Sequence, residues 1–317
     1  MAKLWWLSLV ALKVVHSFHF SCSRWLHLSF GTTSQIRNDL KRSCLSSTEK
    51  NDAISVEFVE QTEHYLVVSK PASVVCHHSD WTGSRKSNEV PMLQRIRVAL
   101  DRKINLVHRL DRGASGCLLV TYSNDGNSTA VFQRSMSENH ANKTYIALVR
   151  GEGILHGRDF RKEGWFLVDR PIKDENGELK EARTLFRFIA GQDDANGTRP
   201  RASLVLARPL TGRWHQIRRH LNGLSHPILG DSTHGNSRTN REWRSQRGLA
   251  NERTCLHLVR LQLPPNEYCP NGMNVTCPLA PDMMTLLEQH LPAVMVEASD
   301  KLQEENLCLA DVKRVQQ

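Results

Sequence analysis

The run Leu106-Val107-His108-Arg109-Leu110-Asp111-Arg112-Gly113-Ala114-Ser115-Gly116 sets one carboxylate between two arginines, just ahead of a turn-prone Gly-Ala-Ser-Gly stretch. An apolar, strand-like run follows it. Opposite charge within a few ångströms favours the ionised form of a carboxylate. Asp111 is therefore a candidate permanent anion, suited to nucleophilic attack rather than to proton donation. Taken alone, the segment is as compatible with a turn cap or a surface ion pair, because short motifs match by chance. The chemical reading depends on what other parts of the chain can bring to the carboxylate.

Two further clusters offer partners. Lys143-Thr144-Tyr145-Ile146-Ala147-Leu148-Val149-Arg150-Gly151 has strand alternation with one aromatic, Tyr145. A tyrosine in such a place packs a sheet, or it stacks on a flat base and handles a proton. Leu210-Thr211-Gly212-Arg213-Trp214-His215-Gln216-Ile217-Arg218-Arg219-His220-Leu221 is denser. Thr211 can cap a helix beginning near Arg213, with Arg213, Ile217 and His220 on one face. An arginine at a glycine-preceded helix start is placed to grip a carboxylate bidentately. The plainer reading is a solvated basic helix.

Together, HRLDRGASG, KTYIALVRG and LTGRWHQIRRHL resemble the RluA-type family of pseudouridine synthases. Lys70-Pro71 followed by Val75-Cys76-His77 resembles that family's opening motif, and His226-Pro227-Ile228-Leu229-Gly230-Asp231 and Cys255-Leu256-His257 its later landmarks. The resemblance spans Val56 to Pro265, with Ala114 where the family usually has threonine and Ser73 where it has glycine. It implies an isomerase that breaks the glycosidic bond of a uridine, turns the base and rejoins it through carbon, with no cofactor and no metal. It also implies that Asp111 is the nucleophile, Arg213 its partner, and Tyr145 the group that packs on the base and serves in proton removal. His108, Arg109, His215, Ile217 and Arg218 are expected to bind substrate, Arg109 by filling the space the extruded base leaves. Arg218 and Arg219 are expected on phosphates. The wording around Arg218 and Asp231 points to tRNA ahead of rRNA as partner.

Two other classes fit parts of the pattern: a non-catalytic RNA-binding protein on the same fold, and a nucleoside- or glycoside-cleaving hydrolase. The hydrolase needs a second acid beside Asp111. Asp231 alone is offered by a motif, and it is expected to order a turn.

The frame agrees with a globular enzyme acting on a polyanion. The chain has 317 residues, 39% of them hydrophobic and 24% charged, with a formal net charge of +9. Its eight cysteines are scattered, without metal-ligand or disulfide-framework spacing. Residues 1–50 differ from the rest: an apolar run, Leu4 to Leu12, precedes a serine- and arginine-rich stretch. That composition suits a targeting presequence for a plastid or a mitochondrion, with a cytoplasmic protein as the alternative. The apolar run is too short to span a bilayer, and no membrane partner is expected of the mature chain.

The catalytic domain is expected over residues 54–292 and a charged, loosely packed tail over 297–317. Strands are expected at Ile54–Val59, His64–Ser69, Ala182–Ile189 and Ala202–Ala207, and helices at Pro91–Leu100 and Ser128–Met136. Asn176-Gly177 and Asn196-Gly197 read as type I′ hairpin turns. Strands and helices mix without βαβ alternation. The expected fold is α+β, a mixed, largely antiparallel central sheet with flanking helices and a cleft, in a monomer.

Overall fold

The computed structural model describes residues 55–78, 89–123, 127–137, 141–193 and 200–309. The expected presequence and the Asn196-Gly197 turn lie outside them. Alternating and β-branched runs form strands β1 (Glu57–Gln61), β2 (Tyr65–Lys70), β3 (Ile104–Leu106), β4 (Ser115–Tyr122) and β5 (Asn142–Arg150). After the short hairpin β6 (Ile154–Leu155) and β7 (Arg158–Asp159) come β8 (Phe166–Asp169) and the hairpin β9 (Ile172–Lys173) and β10 (Leu179–Lys180). The long strands β11 (Arg183–Gln192), β12 (Ala202–Pro209) and β13 (Leu256–Leu263), then β14 (Met273–Thr276), complete the set. The helices are α1 (Met92–Leu100), α2 (Ser128–Ser137), α3 (Gln216–Gly223), α4 (Ser237–Arg247), α5 (Pro281–His290) and α6 (Pro292–Glu304).

The main sheet runs β1-β2-β4-β13-β5-β12-β11-β8, with β3 beside β4 and β14 beside β13. Every pairing is antiparallel except β4 with β13, where Ser115 lies opposite His257. The fold is thus the α+β arrangement with a mixed, largely antiparallel sheet. All eight residues of β4 are buried, as a strand with neighbours on both edges and cover on both faces must be. Two apolar cores result. One gathers β2, β4, α1 and β14 around Leu66, Ile96, Leu118 and Val275; the other gathers β5, β11, β12, α3, α5 and α6 around Leu148, Phe188, Leu221 and Leu287. Tyr145 packs against both and so marks the seam between them.

Two expectations are corrected. Residues 297–309 are not a loose tail, and the rest of that expected segment lies outside the described residues: Val294, Ala298 and Leu302 recur at helical spacing as the buried stripe of α6, and Leu307 and Leu309 are buried beyond it. Packing therefore extends to residue 309 rather than 292. At Asn176-Gly177, Gly177 alone has positive φ, +82°. Asp174 Oδ1 accepts from the amides of Asn176 and Glu178 at 2.9 and 3.0 Å, so an aspartate side chain shapes this hairpin in place of a type I′ turn.

Candidate active site

Asp111 lies in the segment between β3 and β4, and several contacts hold that segment still. Lys70, at the end of β2 and fully buried, donates from Nζ to the carbonyls of Pro71 (2.8 Å), Arg112 (3.3 Å) and Ala114 (2.8 Å). Burial pushes its ammonium down to about 8. The carbonyl of Gly113 accepts from the Thr254 amide at 2.9 Å, and a Cβ on Gly113 would come within 2.7 Å of the Glu252 carbonyl. Glycine is required there because another backbone passes so close. Ser73, standing where the family has glycine, takes φ of +65°. Serine meets a steric cost in that left-handed turn.

The arginine that meets Asp111 comes from α3. Arg218 Nη1 donates to Asp111 Oδ2 at 2.8 Å, while its Nε and Nη2 pair with the two oxygens of Asp231 at 2.7 and 2.6 Å. Asp231 Oδ1 also accepts from the amides of Thr233 and His234, both at 2.9 Å. Burial would raise the Asp231 carboxyl, but Arg218 and those amides outweigh it and hold the group below its usual range. Side-chain exposure falls from 35% at Asp111 to 6% at Arg218 and 1% at Asp231. A dry bidentate pair thus aims one remaining N–H at a carboxylate that still faces solvent.

This geometry corrects the expected grip by Arg213. The helix starts at Gln216, with His215 at its N-cap, φ +53°, and no side-chain cap. Thr211 donates instead to Gln216 Oε1 at 2.7 Å, and that oxygen also takes the Arg213 amide at 3.0 Å. Arg213 therefore precedes the helix, and its Nε donates to the Glu181 carbonyl at 2.8 Å. Arg218, expected on phosphates, is buried between two carboxylates and is not available to a phosphate. Arg219 donates to the Lys173 carbonyl at 2.8 Å. Arg112 turns outward to Glu89, 2.7 Å, and Glu252, 3.3 Å, so neither sequence neighbour supplies the counter-charge of Asp111.

Around Asp111 opens a cleft of about 210 Å³ whose walls include His108, Arg109, Lys143, Tyr145, Arg213, His215, Ile217 and Arg218. Asp111 and the seven other residues expected in catalysis or substrate binding thus share one cleft, though not in the expected pairings, while Arg219 is not among its walls. Tyr145 stands on β5, and burial, helped by the charge of Asp111, raises its phenol so that it stays protonated. His108 accepts at Nε2 from the Leu119 amide, 3.1 Å; burial first, then Lys143, push its imidazole down to about 4. His215 is likewise pushed down to about 4, mainly by burial, so its 3.7 Å approach to Asp111 joins a neutral ring to the carboxylate. Its Nδ1 lies 3.0 Å from Nε2 of His234. Arg109 is exposed at the rim, with no protein acceptor in hydrogen-bond reach among the described residues.

Three participants were missed in the sequence. Lys143 lies two residues before Tyr145, and the period of two along β5 puts both on the cleft side. Asp231 orders a turn as expected and also clamps Arg218. An acid directly after the apolar stretch Pro227 to Gly230 needed a buried partner, and that was the available signal. Lys70 enters the sequence reading only as part of the family's opening motif, with no contact to the Asp111 segment expected of it.

Fold and site together define an enzyme cleft in which a mixed sheet presents one arginine-held carboxylate to an open, cation-lined mouth. Residues 64–223 match the family described as RNA pseudouridylate synthase. Relatives include tRNA pseudouridine synthase C of Yersinia pestis, 33% identical over 214 residues, which are 66% of this chain and 80% of that protein. The protein of the same name from Vibrio parahaemolyticus is 32% identical over 217 residues, 66% of this chain and 85% of that protein. Human RNA Pseudouridylate Synthase Domain Containing 4 superposes with a TM-score of 0.55 at 20% identity, over 74% of this chain and 93% of that chain, a likeness of fold. The chain belongs to the RNA pseudouridylate synthase family, of the RluA type, and is an isomerase.

Proposed function

We propose that the protein isomerises a uridine of tRNA to pseudouridine with Asp111 as nucleophile. The observation that carries this reading is the 2.8 Å contact from Arg218 to Asp111, made by an arginine that Asp231 already clamps through two bonds. Such an arrangement fixes the carboxylate's position while leaving oxygen lone pairs free toward the cleft. The substrate class is supported by the names of the relatives and by the chain's net charge of +9.

The reaction breaks one carbon–nitrogen bond, at N1 of uracil, and makes one carbon–carbon bond, at C5. A proton leaves C5 and one is gained at N1, so no oxidant, reductant or water is consumed. Asp111 forms the covalent link that keeps the sugar and base in the cleft between the two bonds. Tyr145 packs on the uracil. A phenol held protonated takes the C5 proton only by handing on its own; the carboxylate of Asp111, freed when the new bond forms, accepts that proton and passes it to N1, which regenerates the anion. His108 and His215, neutral at physiological pH, are hydrogen-bonding walls rather than cations. Arg109, unencumbered at the rim, enters the space the base vacates, which offsets an unstacking cost of a few kcal/mol.

Incubating the purified protein with unmodified tRNA and separating the nucleosides tests the reading. Pseudouridine in the product supports it; free uracil would make the protein a hydrolase, and unchanged uridine a non-catalytic RNA binder. We also propose that residues 1–50 direct the protein to an organelle. A fluorescent fusion carrying residues 1–55 tests this, and a purely cytosolic signal would refute it.

A further inference from the structure

We propose that Trp214 is a stacking platform for a nucleobase of the bound RNA, the one next to the target uridine; the proposal rests on the RNA-modifying reading above. Trp214 is 66% exposed, an unusual position for an indole in a segment otherwise tightly bonded. One of its faces lies on His215, ring centroids 3.8 Å apart and 22° from parallel, and the edge of His234 braces it at 5.8 Å. His215 and His234 are themselves joined at 3.0 Å. Among the described residues no other ring or cation packs on the indole, and 66% of the residue is exposed, which leaves the face away from His215 to solvent. The ring is thus held in one orientation, and the positive φ of His215, +53°, directs the chain so that Trp214 stands outside the cleft while His215 lines it.

The order Asp111, His215, Trp214 places the open indole face one aromatic ring beyond the cleft wall, with His215 3.7 Å from Asp111 on one side and 3.8 Å from Trp214 on the other. A nucleotide neighbouring the target in the strand reaches that distance. When the target uridine leaves the helix, its neighbour loses a stacking partner. A pre-oriented indole restores one, and it does so for any base, because every base has a π face. The surroundings suit a polyanion. Arg213 is exposed immediately before Trp214, and Arg238 and Arg241 are exposed at the start of α4, which begins three residues after His234.

The test compares the full-length wild type with W214A and W214F, using in vitro transcribed, unmodified tRNA. Kd is measured by filter binding over a range of salt, and KM and kcat by pseudouridine formation. W214A is expected to raise Kd and KM about 5- to 150-fold, the equivalent of ~1–3 kcal/mol of base–aromatic stacking, while kcat changes less than about threefold. W214F restores most of the loss. The slope of log Kd against log salt stays as in wild type, because no phosphate contact is removed. Kd and KM within about twofold of wild type would overturn the proposal. So would a fall in kcat with KM unmoved, since Trp214 would then act only as a prop for His215. A changed salt slope would overturn it as well. Should the wild type bind tRNA without isomerising it, the catalytic reading fails, and the Kd comparison still decides the stacking.

Discussion

Two arginine–carboxylate networks lie on opposite faces of the main sheet, since Arg208 reaches Thr144 while the adjacent Tyr145 lines the cleft, and they are built from the same groups and put to different uses. At the C-terminal end, Glu305 Oε1 accepts from Trp165 Nε1 (2.6 Å) and Arg187 Nη1 (2.7 Å), and its Oε2 from Arg208 Nη2 (2.7 Å). Three donors hold that carboxylate, only 12% of whose side chain is exposed, and the group fastens the end of α6 to β11 and β12. In the cleft, Asp231 is saturated in the same way, but Asp111 receives one strong bond from Arg218 and keeps 35% of its side chain open. A carboxylate buried among several donors holds structure. One that is aimed by a single bond, with the rest facing a cleft, is free to react. The difference lies in valence left over rather than in charge.

Removing the open carboxylate should have the largest effect. Asp111→Asn keeps shape and loses the anion, so pseudouridine formation should fall more than about 10⁴-fold. Thermal stability should move by less than about 1 kcal/mol, because the group is part-exposed. Residual turnover near wild type would mean that leftover valence is not what the site uses. Next comes Arg218→Lys. An ammonium cannot hold Asp231 bidentately and still reach Asp111. Turnover should drop about 10²-fold from misplacement of the nucleophile. Arg218→Met should cost about 3–5 kcal/mol of folding stability as well, since Asp231, 1% exposed, is left buried without its partner.

The saturated network predicts the reverse pattern. Glu305→Gln turns one acceptor oxygen into a donor facing arginines, and should cost about 1–3 kcal/mol. For a chain of this size that lowers Tm by about 2–4 °C per kcal/mol. Turnover below the melting range should be unaffected. Burial raises the Glu305 carboxyl, but Trp165, Arg187 and Arg208 outweigh it, so its folded value lies below the ordinary 4.5. A depressed carboxylate binds fewer protons folded than unfolded, so its contribution is present above about pH 4.5 and is lost as pH falls below it. Acid denaturation should therefore be less steep in Glu305→Gln than in wild type. An activity loss at Glu305 comparable with that at Arg218 would erase the distinction between the networks.

Much of this was legible in the sequence, because local pattern decides it. The apolar stripe of α1 and the strands β5, β11 and β12 follow from periodicity, and the membership of the cleft follows from the three motifs. What was not legible depends on angle and on distance in space. A helix turns 100° per residue only within its own span, so a start at Gln216 instead of near Arg213 leaves Ile217 and His220 in phase and drops Arg213 from their face. Thr211 looked like a cap, and it spends its hydroxyl on the Gln216 side chain instead. Nothing in the neighbourhood of Glu305 announces that Arg187, 118 residues earlier, will meet it. A charged C-terminal stretch looks solvated until its partners are known.

The smallest effect is expected where the sequence and the structure differ most. Arg213→Lys retains the positive charge at the cleft mouth and loses only the 2.8 Å bond from Nε to the Glu181 carbonyl, a single hydrogen bond at an exposed position. Such a bond contributes about 0.5–1.5 kcal/mol at most, and none of it reaches Asp111 directly. Turnover should fall less than about threefold, and KM should move by a similar factor through the mouth of the cleft. Measured beside Arg218→Lys under the same conditions, the pair decides which guanidinium governs the nucleophile. If Arg213→Lys is the more damaging of the two, the catalytic carboxylate is held from the loop rather than from α3 when RNA is bound. The contrast between an open and a saturated network would then describe the empty cleft alone.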